Sequence, residues 1–238
     1  MTSFLGNLMG SLLRFVYDIV SGIGTEPVRF SYYAMAVIIT SILFKLILLP
    51  IMLQQTKSTR VMGEIQPKMK EIQDKYKKDP QTMQVKMQDL YKEYNYSPLS
   101  GCLPLLIQFP IIIAFFAVFR EPAKYAFTEP GLYESISKSF LWINNLDNPD
   151  PYVWGLPLLA AATTYFQSKL MSPPSTGNAQ AESTQKMMTI FLPVLIFFSA
   201  RSFPAGLALY WVLGNLFTIV QQLISKKFNK SLRKVKEE

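Results

Sequence analysis

Residues 30–53 read FSYYAMAVIITSILFKLILLPIML, twenty-four residues with a single charge, Lys45. About 20 mostly apolar residues in an α-helix cross the ~30 Å hydrocarbon core of a bilayer. The stretch is long enough to span, and the pattern recurs on its C-terminal side. Tyr94 to Phe119, Pro151 to Ser168, Met187 to Ala200 and Ser202 to Ser225 contain no Asp, Glu, Lys or Arg. The run at Met187 is short, and serves as a span if it starts near Ser183 and leaves Arg201 at a surface. The chain has 238 residues, 17% of them charged, where about 25% is usual in soluble domains. Those charges are concentrated, fifteen within residues 51–98 and eight in the last thirteen residues.

The fold class expected is all-α: a polytopic membrane protein with five transmembrane helices, a cytoplasmic antiparallel helical hairpin and an N-terminal interfacial helix. The segments are 1–29 for the interfacial helix and linker, 30–54 for the first span and 55–98 for the hairpin. Further spans follow at about 99–120, 151–171, 183–201 and 204–225, with a basic tail at 226–238. Lys and Arg accumulate on the cytoplasmic side of spans. Seventeen of them fall in 51–98, at 169 and 186, and in the tail, against six on the opposite side. The N-terminus is therefore expected outside and the C-terminus in the cytoplasm. The net charge of +8 reads mainly as this topology signal, with attraction to anionic lipid headgroups added.

In residues 1–29, Leu5, Leu8, Leu12, Phe15 and Ile19 recur at helical spacing. This suits a helix lying in the outer interface, and a retained signal-anchor is the alternative. The chain has no His and one Cys, Cys102. That excludes a His-containing triad, a His/Cys zinc site and an internal disulfide. No catalytic residue, metal or cofactor is expected.

Within 57–96, Met62, Ile65, Met69, Ile72 and Tyr76 make one apolar stripe, and Met83, Met87, Leu90 and Tyr94 another. Asp79-Pro80 between them suits a helix start. Met62, Met69, Met83 and Met87 suit adaptable contact with varied apolar partners, or they fill the hairpin seam.

A Lys at bilayer depth costs about 2.5–3.5 kcal/mol on insertion scales. Lys45 either snorkels to the inner headgroups or stands in a hydrophilic cavity. Trp211, Asn215, Thr218 and Gln222 share one helix face by spacing, Thr164 and Gln167 are three apart, and Gln108 lies on another span. Each alone suits a helix–helix hydrogen bond. Together with Lys45 they favour a shared polar pocket with one cation and no acidic partner, suited to something acidic or polar entering from outside. Proton relays and intramembrane aspartyl proteolysis lack the carboxylates they would need.

Three stretches carry a family resemblance. Ile65-Gln66-Pro67-Lys68-Met69-Lys70-Glu71-Ile72-Gln73 resembles the start of the cytoplasmic hairpin in the YidC/Oxa/Alb membrane protein insertases. Pro98 through Gly101-Cys102-Leu103-Pro104-Leu105-Leu106-Ile107-Gln108 to Pro110 resembles that family's next span. Pro204-Ala205-Gly206-Leu207-Ala208-Leu209-Tyr210-Trp211, with Asn215-Leu216-Phe217 and Gln221-Gln222, resembles its last. The resemblance covers about residues 30–225. It implies an insertase and chaperone, not an enzyme, that inserts and folds client segments through a hydrophilic groove open to cytoplasm and lipid, alone or with the Sec translocon (SecYEG). The implied partners are nascent membrane proteins, the ribosome and signal recognition particle pathway, and membrane lipids, with a monomer as working unit. Lys45 matches the groove's basic position, where most bacterial relatives carry Arg, and Gln167 and Trp211 match other groove-lining positions. No Cys precedes Cys102, so the lipid-modified Cys of many Gram-positive relatives is not expected. The tail suits either a topology anchor or ribosomal phosphate contacts. A small-molecule transporter or channel, or a structural Sec-associated subunit, are the alternative functions.

Overall fold

A computed structural model describes residues 2–97, 103–171, 183 and 185–237. Pro98–Cys102 of the second motif lie outside the described residues. Regular structure among the described residues is helical, and extended backbone is limited to isolated bridges such as Phe30–Phe140. Among the described residues, two helices are long and apolar enough to cross a bilayer, over Tyr32–Lys75 and Ala205–Lys227, with shorter apolar helices at Gln108–Arg120 and Met187–Ala200.

Helix α1 spans Thr2–Ser21. Its inward face is Met9, Leu13, Val16 and Val20, all buried, and it packs on the two helices that follow Ser31 and Cys102. This corrects the stripe expected from spacing, because Leu8, Phe15 and Ile19 are exposed while Leu5 and Leu12 only flank the core. The helix carries two apolar faces, and backbone approach decides between them. A Cβ on Gly6 would stand 2.8 Å from the Tyr125 ring, and one on Gly10 would fall on the Tyr125 carbonyl. The glycine-bearing face is the one that docks. Arg14 then pairs with Asp18 and Glu129, and Tyr17 meets Phe127 edge-on at 5.1 Å. Gly10→Leu is expected to release α1 from Tyr125, since overpacking costs about 1–3 kcal/mol. Faster protease cleavage within residues 2–21 would register it, and unchanged cleavage would refute the docking.

Helix α2 runs without a break from Tyr32 to Lys75, capped by Ser31, whose side chain accepts from Ala34 N. The helix does not end at 54, where composition changes from apolar to charged. Pro50 and Pro67 both sit inside it, their missing donors tolerated where neighbouring groups satisfy the freed carbonyls. The expected start is met at α3, Pro80–Glu93, where Asp79 accepts from Thr82 N at 3.1 Å. The Thr82 hydroxyl and amide hold the Asp79 carboxyl below its usual range. Ile65, Met69 and Leu90 form a small buried cluster between α2 and α3, with Met62 and Met87 at its edge. Lys68 closes that seam on Tyr94, Nζ to hydroxyl 2.5 Å, and lies 3.7 Å from Glu93. Met69, Met62 and Met87 are thus seam residues, and Met83 lies outside the cluster.

Helix α4 is Leu103–Arg120, followed by the single turns α5 (Pro122–Tyr125) and α6 (Leu132–Ser135). Helix α7 is Leu156–Met171, about 24 Å of helix. It begins later than the 151 expected, because Asp150 organises the approach. Its carboxylate accepts from Trp142 Nε1 at 3.1 Å, Tyr152 N at 2.9 Å and Leu156 N at 2.7 Å. A π-turn at Met187–Phe191 leads into α8, Leu192–Ala200. Helix α9, Ala205–Glu237, continues through the basic tail. Its first amides donate to loop carbonyls, Ala205 to Asn148 at 2.8 Å and Gly206 to Leu146 at 2.9 Å. These contacts set the starts of α7 and α9 at one end of the bundle, beneath α1 and residues 121–150. Below this cap, α9 is the hub, packed on α7, α2 and α4.

Candidate functional site

Lys45 is 6% exposed on α2. Its stem reaches close because residue 214 on α9 is Gly: a Cβ there would stand 3.0 Å from Lys45 Cε. Its ammonium donates to Gln108 Oε1 on α4 at 3.3 Å, and Gln108 Nε2 donates to the Tyr210 hydroxyl on α9 at 2.9 Å. The Tyr210 ring stacks on Phe115 with centroids 3.7 Å apart, which fixes the hydroxyl against the amide. No carboxylate among the described residues forms an ion pair with Lys45. Lys45 thus faces a neutral amide and no anion among the described residues. It is covered, and one side-chain carbonyl partly compensates a cation whose burial is costly.

A second polar cluster lies on the neighbouring face of α9. Trp211 Nε1 donates to Thr164 Oγ1 on α7 at 2.9 Å. The Asn215 amide satisfies both its ends when its oxygen accepts from Trp211 Nε1 at 3.3 Å and Thr164 N at 3.2 Å, and its nitrogen donates to Gln167. Thr163 and Thr164 also bond back to their own helix at Leu159 and Ala160, 2.7 Å each. Farther along α9, Gln222 Nε2 donates to Thr56 Oγ1 on α2 at 3.2 Å, and Thr218 donates to the Gly214 carbonyl at 2.9 Å.

The stripe Trp211, Asn215, Thr218 and Gln222 is thus divided among partners. Trp211 and Asn215 meet α7, Gln222 meets α2, and Thr218 closes on its own helix. Thr164, Gln167, Trp211 and Asn215 come together, Lys45 and Gln108 come together, and α9 contributes to both groups through neighbouring residues. The physical cause is the 100° step between neighbouring residues of a helix that three others surround. Spacing within α9 does not say which neighbour covers which sector.

Several members were not among the polar-pocket candidates read from the sequence. Tyr210 sits in an apolar run and gave no polar signal. Thr163 adjoins Thr164 and could have been paired with it. Thr56 lies beyond the apolar end of the first run. Gln221 is buried on α9, and neither its amide nitrogen nor its oxygen has a hydrogen-bond partner among the described residues. A buried amide without partners costs about 1–3 kcal/mol on mutational scales, so Gln221 marks unmet polar demand beside the same helix. Groups of His, Cys, Asp or Glu able to hold a metal are absent among the described residues.

Known proteins match the chain along most of its length. A family model described as 60Kd inner membrane protein matches residues 27–233. A protein of Clostridium tetani (strain Massachusetts / E88) named membrane protein insertase YidC is 39% identical over 226 residues, 94% of this chain and 94% of that one. Membrane protein insertase MisCA of Bacillus subtilis (strain 168) is 39% identical over 200 residues, 82% of this chain and 70% of that one. Membrane protein insertase YidC 1 of Listeria monocytogenes serotype 4b (strain F2365) is 40% identical over 196 residues, 81% of this chain, and the match spans 63% of that longer relative. Among solved structures, an active YidC insertase crystal structure with its first transmembrane domain resolved superposes with a TM-score of 0.61 at 26% identity, covering 92% of this chain and 45% of that one. By sequence along 27–233 and by fold, this chain belongs to the 60Kd inner membrane protein family, whose matched relatives carry the name membrane protein insertase.

Proposed function

We propose that the chain is a membrane protein insertase and chaperone of the bacterial plasma membrane, working on nascent client segments alone or with the Sec translocon. In this reading the apolar helices α2, α4, α7, the π-turn with α8, and α9 are five spans. The C-terminal part of α2, from about residue 55, pairs with α3 in the cytoplasm, where the ribosome and the signal recognition particle pathway deliver clients. The N-terminus is outside, and α1 lies in the outer interface. The working unit is a monomer.

One observation carries the proposal: a lysine buried among apolar helices whose described partner is a neutral amide, beside an α9 rich in polar contacts. An acidic or polar client segment competes with Gln108 for the Lys45 ammonium and with Thr164 and Asn215 for Gln167 and Trp211. Gln221 adds an unsatisfied amide to that path. The client's apolar helix then passes into lipid. The membrane potential assists an acidic tail moving outward, at about 2.3 kcal/mol per charge per 100 mV.

Photo-crosslinkers at positions 45, 167 and 211 are expected to capture a ribosome-stalled single-span client during insertion into vesicles. Crosslinking at none of the three, with insertion proceeding, would refute the groove. Solute flux through reconstituted vesicles without client insertion would replace the proposal with a transporter.

A further inference from the structure

The cleft between α7 and α8 belongs to neither polar cluster. It measures about 450 Å³, with Leu158, Ala162, Tyr165 and Phe166 on one wall and Pro193 and Phe197 on the other. Phe166 and Val194 at its lip are about half exposed. Its depth comes from Ala161 and Ala162, which recess one wall between larger neighbours. Both α7 and α9 begin at the capped end of the bundle, so α8, leading up to α9, runs antiparallel to α7.

At the opposite end the apolar walls give way to cations. Lys169 continues the face of α7 one turn beyond Tyr165, its ammonium 5.8 Å from that ring's centroid. Lys226 of α9 donates to the Leu170 carbonyl at 3.0 Å. Lys186 immediately precedes the π-turn, which packs on α7. Neither α7 nor α8 contains a carboxylate to neutralise these lysines.

We propose that this cleft holds one acyl chain of an anionic phospholipid, with its phosphate headgroup bound by Lys169 and Lys186 and with Lys226 behind them. The order of the surfaces matches one amphiphile: an apolar cleft lined by α7 and α8, then lysines at a single end. Basic pockets at the cytoplasmic ends of transmembrane helices bind anionic headgroups for this reason. The inference rests on α7 and α8 spanning the bilayer and is independent of the Lys45 groove.

The test uses the full chain purified in detergent, with bound lipid read by native mass spectrometry on titration with phosphatidylglycerol or phosphatidylcholine. Phosphatidylglycerol is expected to be retained in preference. Lys169→Gln with Lys186→Gln should weaken its binding about 25-fold, near fivefold per lysine, and leave phosphatidylcholine unaffected. Ala162→Trp should block the slot and reduce both lipids. Ala161→Phe, on the same wall, serves the same purpose should the tryptophan variant not fold. Equal retention of the two lipids, or unchanged phosphatidylglycerol binding in the lysine pair or the filled variant, overturns the site. So does a photo-crosslinker at position 162 that captures client and no lipid. Normal client insertion without lipid selectivity would sink this site alone and leave the insertase reading standing.

Discussion

Lys45→Glu should reduce insertion of a single-span client with an acidic outward tail by tenfold or more, while Lys45→Arg stays near wild type. The ammonium donates to the Gln108 carbonyl. A glutamate removes the cation, and when ionised its oxygens would face the oxygen that Gln108 now offers. An acidic client segment then meets repulsion where it met a cation. Losing one hydrogen bond to a charged group is worth about 1.5–3 kcal/mol, or roughly tenfold to a hundredfold in an equilibrium. Arginine keeps the charge and adds donors that can still reach an amide oxygen. Lys45→Met separates attraction from misfolding: it keeps an apolar stem, removes the charge, and should fail only with acidic-tailed clients. Protease protection of the translocated tail measures all three, alongside unfolding curves in detergent. Wild-type insertion by Lys45→Glu would remove the cation from the mechanism.

The second large effect concerns stability. Asp150→Ala should lower unfolding stability by about 3 kcal/mol. The buried carboxylate receives the Trp142 indole and two backbone amides, one of them the first amide of α7. A cap is worth about 1 kcal/mol, and a buried donor left unpaired costs about 1–3 kcal/mol. Asp150→Asn keeps an accepting oxygen and should lose less than half as much. Gly155→Ala tests the same contact from the other side, because a Cβ there would stand 3.0 Å from the Asp150 carboxyl carbon and nearer still to an oxygen. Thermal unfolding in detergent with loss of Trp fluorescence reads each variant, and an Asp150→Ala protein as stable as wild type would show that the cap is incidental. Asp150 and Lys45 lie at different levels of the bundle, so their losses should add.

Much of this architecture was legible in the chain. The uncharged runs located the apolar helices, because hydrocarbon excludes charge whatever the neighbours are. Asp79-Pro80 located the start of α3, because capping depends only on local backbone geometry. Lys45, Gln108, Gln167, Trp211 and Asn215 stood out as polar side chains in apolar surroundings, and each engages a polar partner in the folded chain.

What remained was settled by packing. The face of α1 that docks depends on how closely Gly6 and Gly10 approach Tyr125, more than 100 residues away. Lys45 is covered because Gly214 admits its stem and Gln108 faces it, a meeting of three helices that no single stretch encodes. Residues 210–222 distribute their polar groups among α2, α4 and α7 according to the rotation of α9 within the bundle. Composition and periodicity are properties of one segment, and they reveal which helices form and which side chains need partners. Pairings across 47 to 166 residues arise only when several helices share one interior, where steric fit at a few glycines selects the faces that meet.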